Sequence, residues 1–144
     1  MKHTALVALA TVLLACGASS DTNINKSIRV ADGEHKKGSL RSVNGSITVG
    51  NEAIVEGNCT TVNGKISIGE NSEVGMVSCV NGGISLDRNS SAESVSCVNG
   101  SISLGGEVKI EGEVSTVNGG ITCKREVQIA GDLETVNGSM KVVG

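Results

Sequence analysis

The sequence predicts an all-β, single-domain parallel β-solenoid, and three observations carry that expectation. The tripeptide Val-Asn-Gly recurs at Val43, Val62, Val80, Val98, Val117 and Val136, in steps of 19, 18, 18, 19 and 19 residues. The residues after each copy alternate apolar and polar. The chain has no Phe, Trp, Tyr or Pro but 20 Gly. A unit of this length cannot bury an apolar face alone, so copies stack and each supplies one rung to a continuous core. Large rings do not fit a thin interior, and Pro would remove a donor from the ladder. About six to seven triangular coils of 18–19 residues follow.

The first strand of each coil is the clearest. Ile47, Ile66, Ile84, Ile102, Ile121 and Met140 form one apolar column, and Val49, Ile68, Leu86, Leu104, Cys123 and Val142 form a second. Between them lie Thr48, Ser67, Ser85, Ser103, Thr122 and Lys141, so the period is two, as in a strand with one face buried. Nineteen residues before Asn44 stands Asn25, with Ile24, Ile28 and Val30 on the corresponding positions, so a degenerate copy opens the solenoid near Ile24.

A weaker beat of six marks the remaining sides: Val62, Ile68, Val74, Val80, then Leu86, Ala92 and Val98, all expected to point inward. Small residues two places earlier, at Ala53, Ser72, Ser78, Ser90 and Ser96, suit a narrow interior. Corners fall at Ile68-Gly69, Val74-Gly75, Leu86-Asp87 and Leu104-Gly105. The beat of six resembles left-handed hexapeptide coils, but parallel crossovers are overwhelmingly right-handed, and a right-handed coil is favoured. Six steps from Asn25 to Asn137, at ~4.8 Å per rung, make a rod of about 29 Å.

Asn-Gly enters left-handed backbone readily, so a turn is expected at each copy. Stacked Asn25, Asn44, Asn63, Asn81, Asn99, Asn118 and Asn137 are expected to form a structural ladder that holds the coils in register. Cys79 and Cys97 both stand just before Val-Asn-Gly, in a column that otherwise holds Ser42, Thr61, Thr116 and Thr135. On adjacent rungs, pointing outward, they form either a disulfide or two free thiols. Cys123 reads as a buried hydrophobe, and Cys59 has no partner.

The N-terminus has a different character. Met1-Lys2-His3 is a short basic start and residues 4–15 carry no charge, a length suited to a secretory signal and too short to span a bilayer. The run ends Leu13-Leu14-Ala15-Cys16-Gly17, which resembles the lipobox of bacterial lipoproteins, with Leu14 where that family more often has a small residue. The resemblance implies a signal peptide at 1–15, a lipidated Cys16 (diacylglycerol, with a palmitate-type amide-linked chain) and a short tether at 16–23 ahead of a solenoid at 24–144. Gly17 in place of Asp implies the outer membrane of the bacterial cell envelope. Two or three acyl chains anchor stably where one does not. Seven flexible residues reach only ~15 Å, which keeps the rod near the lipid. Ordinary cleavage after Ala18 is the alternative.

Composition excludes several functions. Loss of Lys2 with the signal takes the net charge from −3 to −4, and with neither a basic patch nor aromatics nucleic acid is not an expected partner. The mature chain keeps one histidine, His35, without a Ser or Cys at recognisable spacing, so no enzyme is expected. Hexapeptide-coil acyltransferases resemble the chain only in the beat of six. No Cys-x-x-Cys, histidine cluster or calcium repeat is present, and neither metal nor cofactor is expected. Glu52, Glu56, Glu70, Glu73, Glu107, Glu111 and Glu113 are interspersed with Lys and Arg as on a solvated face.

Two outward Ser/Thr columns, one before each Val and one between the apolar columns, would make a flat hydroxyl strip. Residues 140–144 would leave an open strand edge, a template for another copy. The VNGSI and VNGGI strands are similar to the short-coil β-solenoids of bacterial adhesins and of the polymer-forming bactofilins. That resemblance implies a non-enzymatic structural or adhesion module, partnered by the membrane through Cys16 and by a homo-polymer or an envelope protein or glycan. The alternative is a small-ligand or glycan binding module at the cell surface or in the periplasm.

Overall fold

The computed structural model describes residues 21–143, with side chains from Ile24 onward. Every described element is a strand, and every pairing is parallel, between one coil and the next. This is a parallel β-solenoid whose coils each present three faces.

The first face follows Val-Asn-Gly. Its seven strands run from Ile28–Val30 through Ile47–Val49, Ile66–Ile68, Ile84–Leu86, Ile102–Leu104 and Ile121–Cys123 to Met140–Val142, stacked in chain order. Ile47 pairs with Ile66, Ile66 with Ile84, Ile84 with Ile102 and Ile102 with Ile121, so each apolar column of the sequence is a physical column. β-branched and aliphatic residues suit this pleat because only one side of each strand meets the core. The intervening Thr48, Ser67, Ser85, Ser103 and Thr122 are half-buried on the outer side.

The second face is short. It contains His35–Lys36, Ile54–Val55, Lys109–Ile110 and Gln128–Ile129, together with residues 73–74 and 91–92. The third contains Asp21–Asn23, Leu40–Ser42, Cys59–Asn63, Val114–Asn118 and Leu133–Thr135, with residues 77–81 and 95–99. Two strands, Glu73–Asn81 and Ser91–Asn99, run unbroken through both of these faces. That continuity explains the mixed repeat length. Between Val55 and Cys59 lie three corner residues, Glu56, Gly57 and Asn58, whereas between Val74 and Val77 lie two, Gly75 and Met76. The 18-residue coils have lost one residue at this corner and nowhere else.

The corner sets which residues point inward. Ile68, Val74, Leu86 and Ala92 are buried as the beat of six predicts, but Val62, Val80 and Val98 are not on the interior side. Counting on from the corner, the third face buries Leu40, Cys59, Val77, Val95 and Val114, then the residue before each Val. The Val column itself lies on the outside, half-buried except for the exposed Val136, and a beat of six carried from Val74 or Ala92 lands on it because the corner of the 18-residue coils is two residues long. Ser78 and Ser96 fall on the opposite side of their strands from Cys79 and Cys97, with hydroxyls 3.4 Å apart. Ala53, Ser72 and Ser90 do line the interior.

Two further expectations change. Pairing begins at Asp21, which bonds in register with Leu40, so the stack starts three residues before Ile24 and takes up part of the expected tether at 16–23. The left-handed corner is not at Asn-Gly, where only Gly82 has a positive φ, of 151°. It is the corner between the first and second faces, where Gly33, Glu52, Asn71, Asn89, Glu107 and Glu126 stack with φ of 55–70°. Each turns the chain from one face to the next, and the amide of each of the first five donates to a carbonyl of the following coil, as Glu52 does to Glu70 at 2.8 Å.

Candidate functional site at the Val-Asn-Gly corner

The corner between the third and first faces organises the side-chain chemistry of the molecule. On its outside the asparagines form a continuous chain of amide hydrogen bonds. Asn44 Nδ2 donates to Asn25 Oδ1 at 2.9 Å, Asn63 to Asn44 at 2.9 Å, and Asn81 to Asn63 at 3.0 Å. Asn99 donates to Asn81 at 3.0 Å, Asn118 to Asn99 at 2.8 Å, and Asn137 to Asn118 at 3.1 Å. All seven side chains are exposed. Each interior member both donates and accepts along the stack, which an amide does and a carboxylate cannot.

Gly follows Asn for a steric reason. A methyl group at Gly64, Gly82, Gly100 or Gly119 would collide with the carbonyl oxygen of the equivalent glycine one coil earlier. The chain therefore passes closer to itself here than any residue with a Cβ permits. Gly83, one residue further on, meets nothing nearer than 3.5 Å, and that column accordingly also accepts Ser46, Lys65, Ser101 and Ser139.

On the inside, the residue before each Val satisfies the carbonyl that this close approach turns inward. Ser42 Oγ donates to the Lys26 carbonyl at 3.0 Å, and Thr61 Oγ1 to Gly45 at 2.9 Å. Thr116 donates to Gly100 at 3.2 Å and Thr135 to Gly119 at 3.1 Å. Between them the thiols of Cys79 and Cys97 do the same toward Gly64 and Gly82, at 3.2 and 3.4 Å. Ser42, Thr61, Cys79, Cys97 and Thr116 are all at most 1% exposed. The outward hydroxyl column and outward cysteines expected from the sequence thus turn inward, because each corner delivers the third face with Cys59 or Val77 on the interior side and the residue two further on follows it there. The signal was present in the composition: every residue of the column is small and can donate one hydrogen bond, and none is charged.

Four cysteines, Cys59, Cys79, Cys97 and Cys123, are buried free thiols. Burial pushes Cys59 up to about 12 and raises Cys123 as well. Interaction with the neighbouring Cys97 side chain, then burial, holds Cys79 above the ordinary thiol range, and interaction with the Cys79 side chain lowers Cys97. Cys123 sits on the inner column of the first face, whereas Cys59 lies in the third-face column beside Leu40 and Val77.

His35 is elsewhere, on the exposed second face, with Nε2 2.7 Å from Glu56 Oε1. The fold does not bring it to any of the four thiols. At the left-handed corner Arg88 Nε donates to Glu107 Oε1 at 3.0 Å, an exposed cross-rung pair worth little to stability. Among the described residues no group of three His, Cys, Asp or Glu is placed to hold a metal ion. No described helix is long and apolar enough to cross a membrane. Cys16 and the lipobox lie outside the described residues. Compared with protein-family models, curated proteins and solved structures, the chain finds no match in any of the three.

Proposed function

We propose that the protein is a lipid-anchored, non-enzymatic module of the bacterial cell envelope, structural or adhesive, in which a rigid solenoid is held close to the outer membrane through Cys16. The observation that carries the reading is the joining of Leu13-Leu14-Ala15-Cys16 to a stack whose first strand starts at Asp21, only a few residues later. Such an arrangement holds a repetitive surface near the lipid and provides no space for a long stalk. The side-chain chemistry supports the non-enzymatic part of the proposal. The four described thiols are buried, Cys79 and Cys97 with hydrogen bonds to carbonyls, and His35 faces solvent with a carboxylate beside it.

End-to-end association belongs to the same proposal. Met140 and Val142 are 51% and 69% exposed where the equivalent Ile121 and Cys123 are buried, apolar surface of the kind another rung covers. A glycan-binding role is the competitor. It rests on the half-buried outward column Thr48, Ser67, Ser85, Ser103 and Thr122.

Radiolabelled palmitate fed to a producing bacterium tests the anchor. The wild-type chain is expected to take up label and sediment with membranes, and Cys16→Ser to do neither. An unlabelled wild-type protein overturns the anchor. Sedimentation of the Cys16→Ser chain tests assembly, and a monodisperse monomer at high concentration removes that part. A glycan-array signal lost on replacing Ser85 and Ser103 would promote the competitor.

A further inference from the structure

Cys79 and Cys97 occupy one column on successive rungs, and their Cα atoms are direct partners in the parallel ladder. Rungs stand ~4.8 Å apart, inside the Cα separation that a disulfide spans. The other described cysteines do not compete. Cys59 is the partner of Val77, two residues from Cys79, so its diagonal separation of about 8 Å is beyond bridging distance. Cys123 belongs to the other sheet.

The same position in four other coils holds Ser or Thr, donating to the same kind of carbonyl at 2.9–3.2 Å. A thiol is the weaker donor, so hydrogen bonding gives no reason for sulfur here. What two neighbouring cysteines add is oxidation.

We infer that Cys79 and Cys97 form a cross-rung disulfide by exchange with a low-molecular-weight disulfide such as oxidised glutathione. The Cys97 thiolate attacks one sulfur of that disulfide and releases one thiol. Cys79 then gives up its proton and attacks the Cys97 sulfur of the mixed disulfide, releasing the second thiol. Two protein S–H bonds are lost, one S–S bond forms, and the external disulfide is reduced to two thiols. Both sulfurs are sealed inside the finished coil, so the bond forms while the coil closes and is afterwards shielded from reductant. The inference is independent of the anchoring proposal. It needs an oxidising disulfide and no lipid.

The test uses the 144-residue chain carrying Cys16→Ser, with Cys59 and Cys123 left in place as rivals. The reduced, denatured chain is refolded in a glutathione redox buffer, denatured again, alkylated and digested with trypsin, which cuts after Arg88, between the two sites. The expected result is alkylation at Cys59 and Cys123 only, one linked peptide pair joining Cys79 to Cys97, and a melting temperature that falls on reduction. The double variant Cys79→Thr/Cys97→Thr, which copies the neighbouring coils, is expected to melt at the same temperature with and without reductant. Four alkylated thiols in a chain whose circular dichroism shows the β fold would overturn the inference, as would a link to Cys59 or Cys123. If the double variant does not fold, the linkage map of the parent decides.

Discussion

Two corners of each coil solve one problem in opposite ways. Between the first and second faces the chain turns by placing one residue in the left-handed region, and all five non-glycine positions of that column are filled, at some local cost, by Glu or Asn: Glu52, Asn71, Asn89, Glu107 and Glu126. At Val-Asn-Gly only one glycine has positive φ, and the difficulty is crowding, met by removing the Cβ and capping the exposed carbonyl from inside. A strained backbone tolerates many residue types at about 1 kcal/mol each, whereas a steric wall tolerates one. That is why the first corner varies along the chain and the second repeats.

Substitutions at six positions sharpen the contrast. Gly100→Ala places a methyl group on the Gly82 carbonyl and is expected to cost about 3 kcal/mol or more, while Gly83→Ala, with room around it, costs under about 1 kcal/mol. Chemical denaturation of the two side by side checks the steric argument, and equal losses would break it. Thr116→Val keeps the shape of the inner column but leaves the Gly100 carbonyl without its hydroxyl donor. A loss of about 1–2 kcal/mol is expected, largely recovered by Thr116→Ser. Asn81→Ala removes one bond given and one received on an exposed ladder, for a loss of about 1 kcal/mol, larger than for Asn137→Ala, which removes a single donated bond. Glu52→Gly relieves the left-handed strain against a gain in unfolded-chain entropy, and the net stabilisation is expected to stay within about 1 kcal/mol. Thermal unfolding of that variant settles the sign, and a large destabilisation would show that the first corner is constrained by more than backbone angle.

The first face was fully legible from the residues. Ile28, Ile47, Ile66, Ile84, Ile102 and Ile121 recur at the repeat spacing, and a slip by one would turn the column to solvent, so alternation and period together leave a single register. The third face was legible in spacing but not in direction. Ser42, Thr61, Cys79, Cys97, Thr116 and Thr135 are a column on either reading, and Val43 to Val136 are another, yet alternation does not say which of the two sets meets the core, and hydrophobicity favours the Val set while only the small size and single donor of the other set point the opposite way. The left-handed column was hidden for a different reason. Glu52, Glu107 and Glu126 are not residues that announce positive φ, and only the stacking of equivalent corners holds them there.

Spacing and alternation alone therefore determined that the chain stacks in parallel rungs, how many residues each rung takes, and which residues share a column. Tertiary structure decided which side of the third face lies inside. Strand alternation is a relative property, and its absolute sense is passed from one face to the next through the corner. There Glu56-Gly57-Asn58 in one coil and Gly75-Met76 in the next differ by one residue, and the stack holds both in register through the coils on either side.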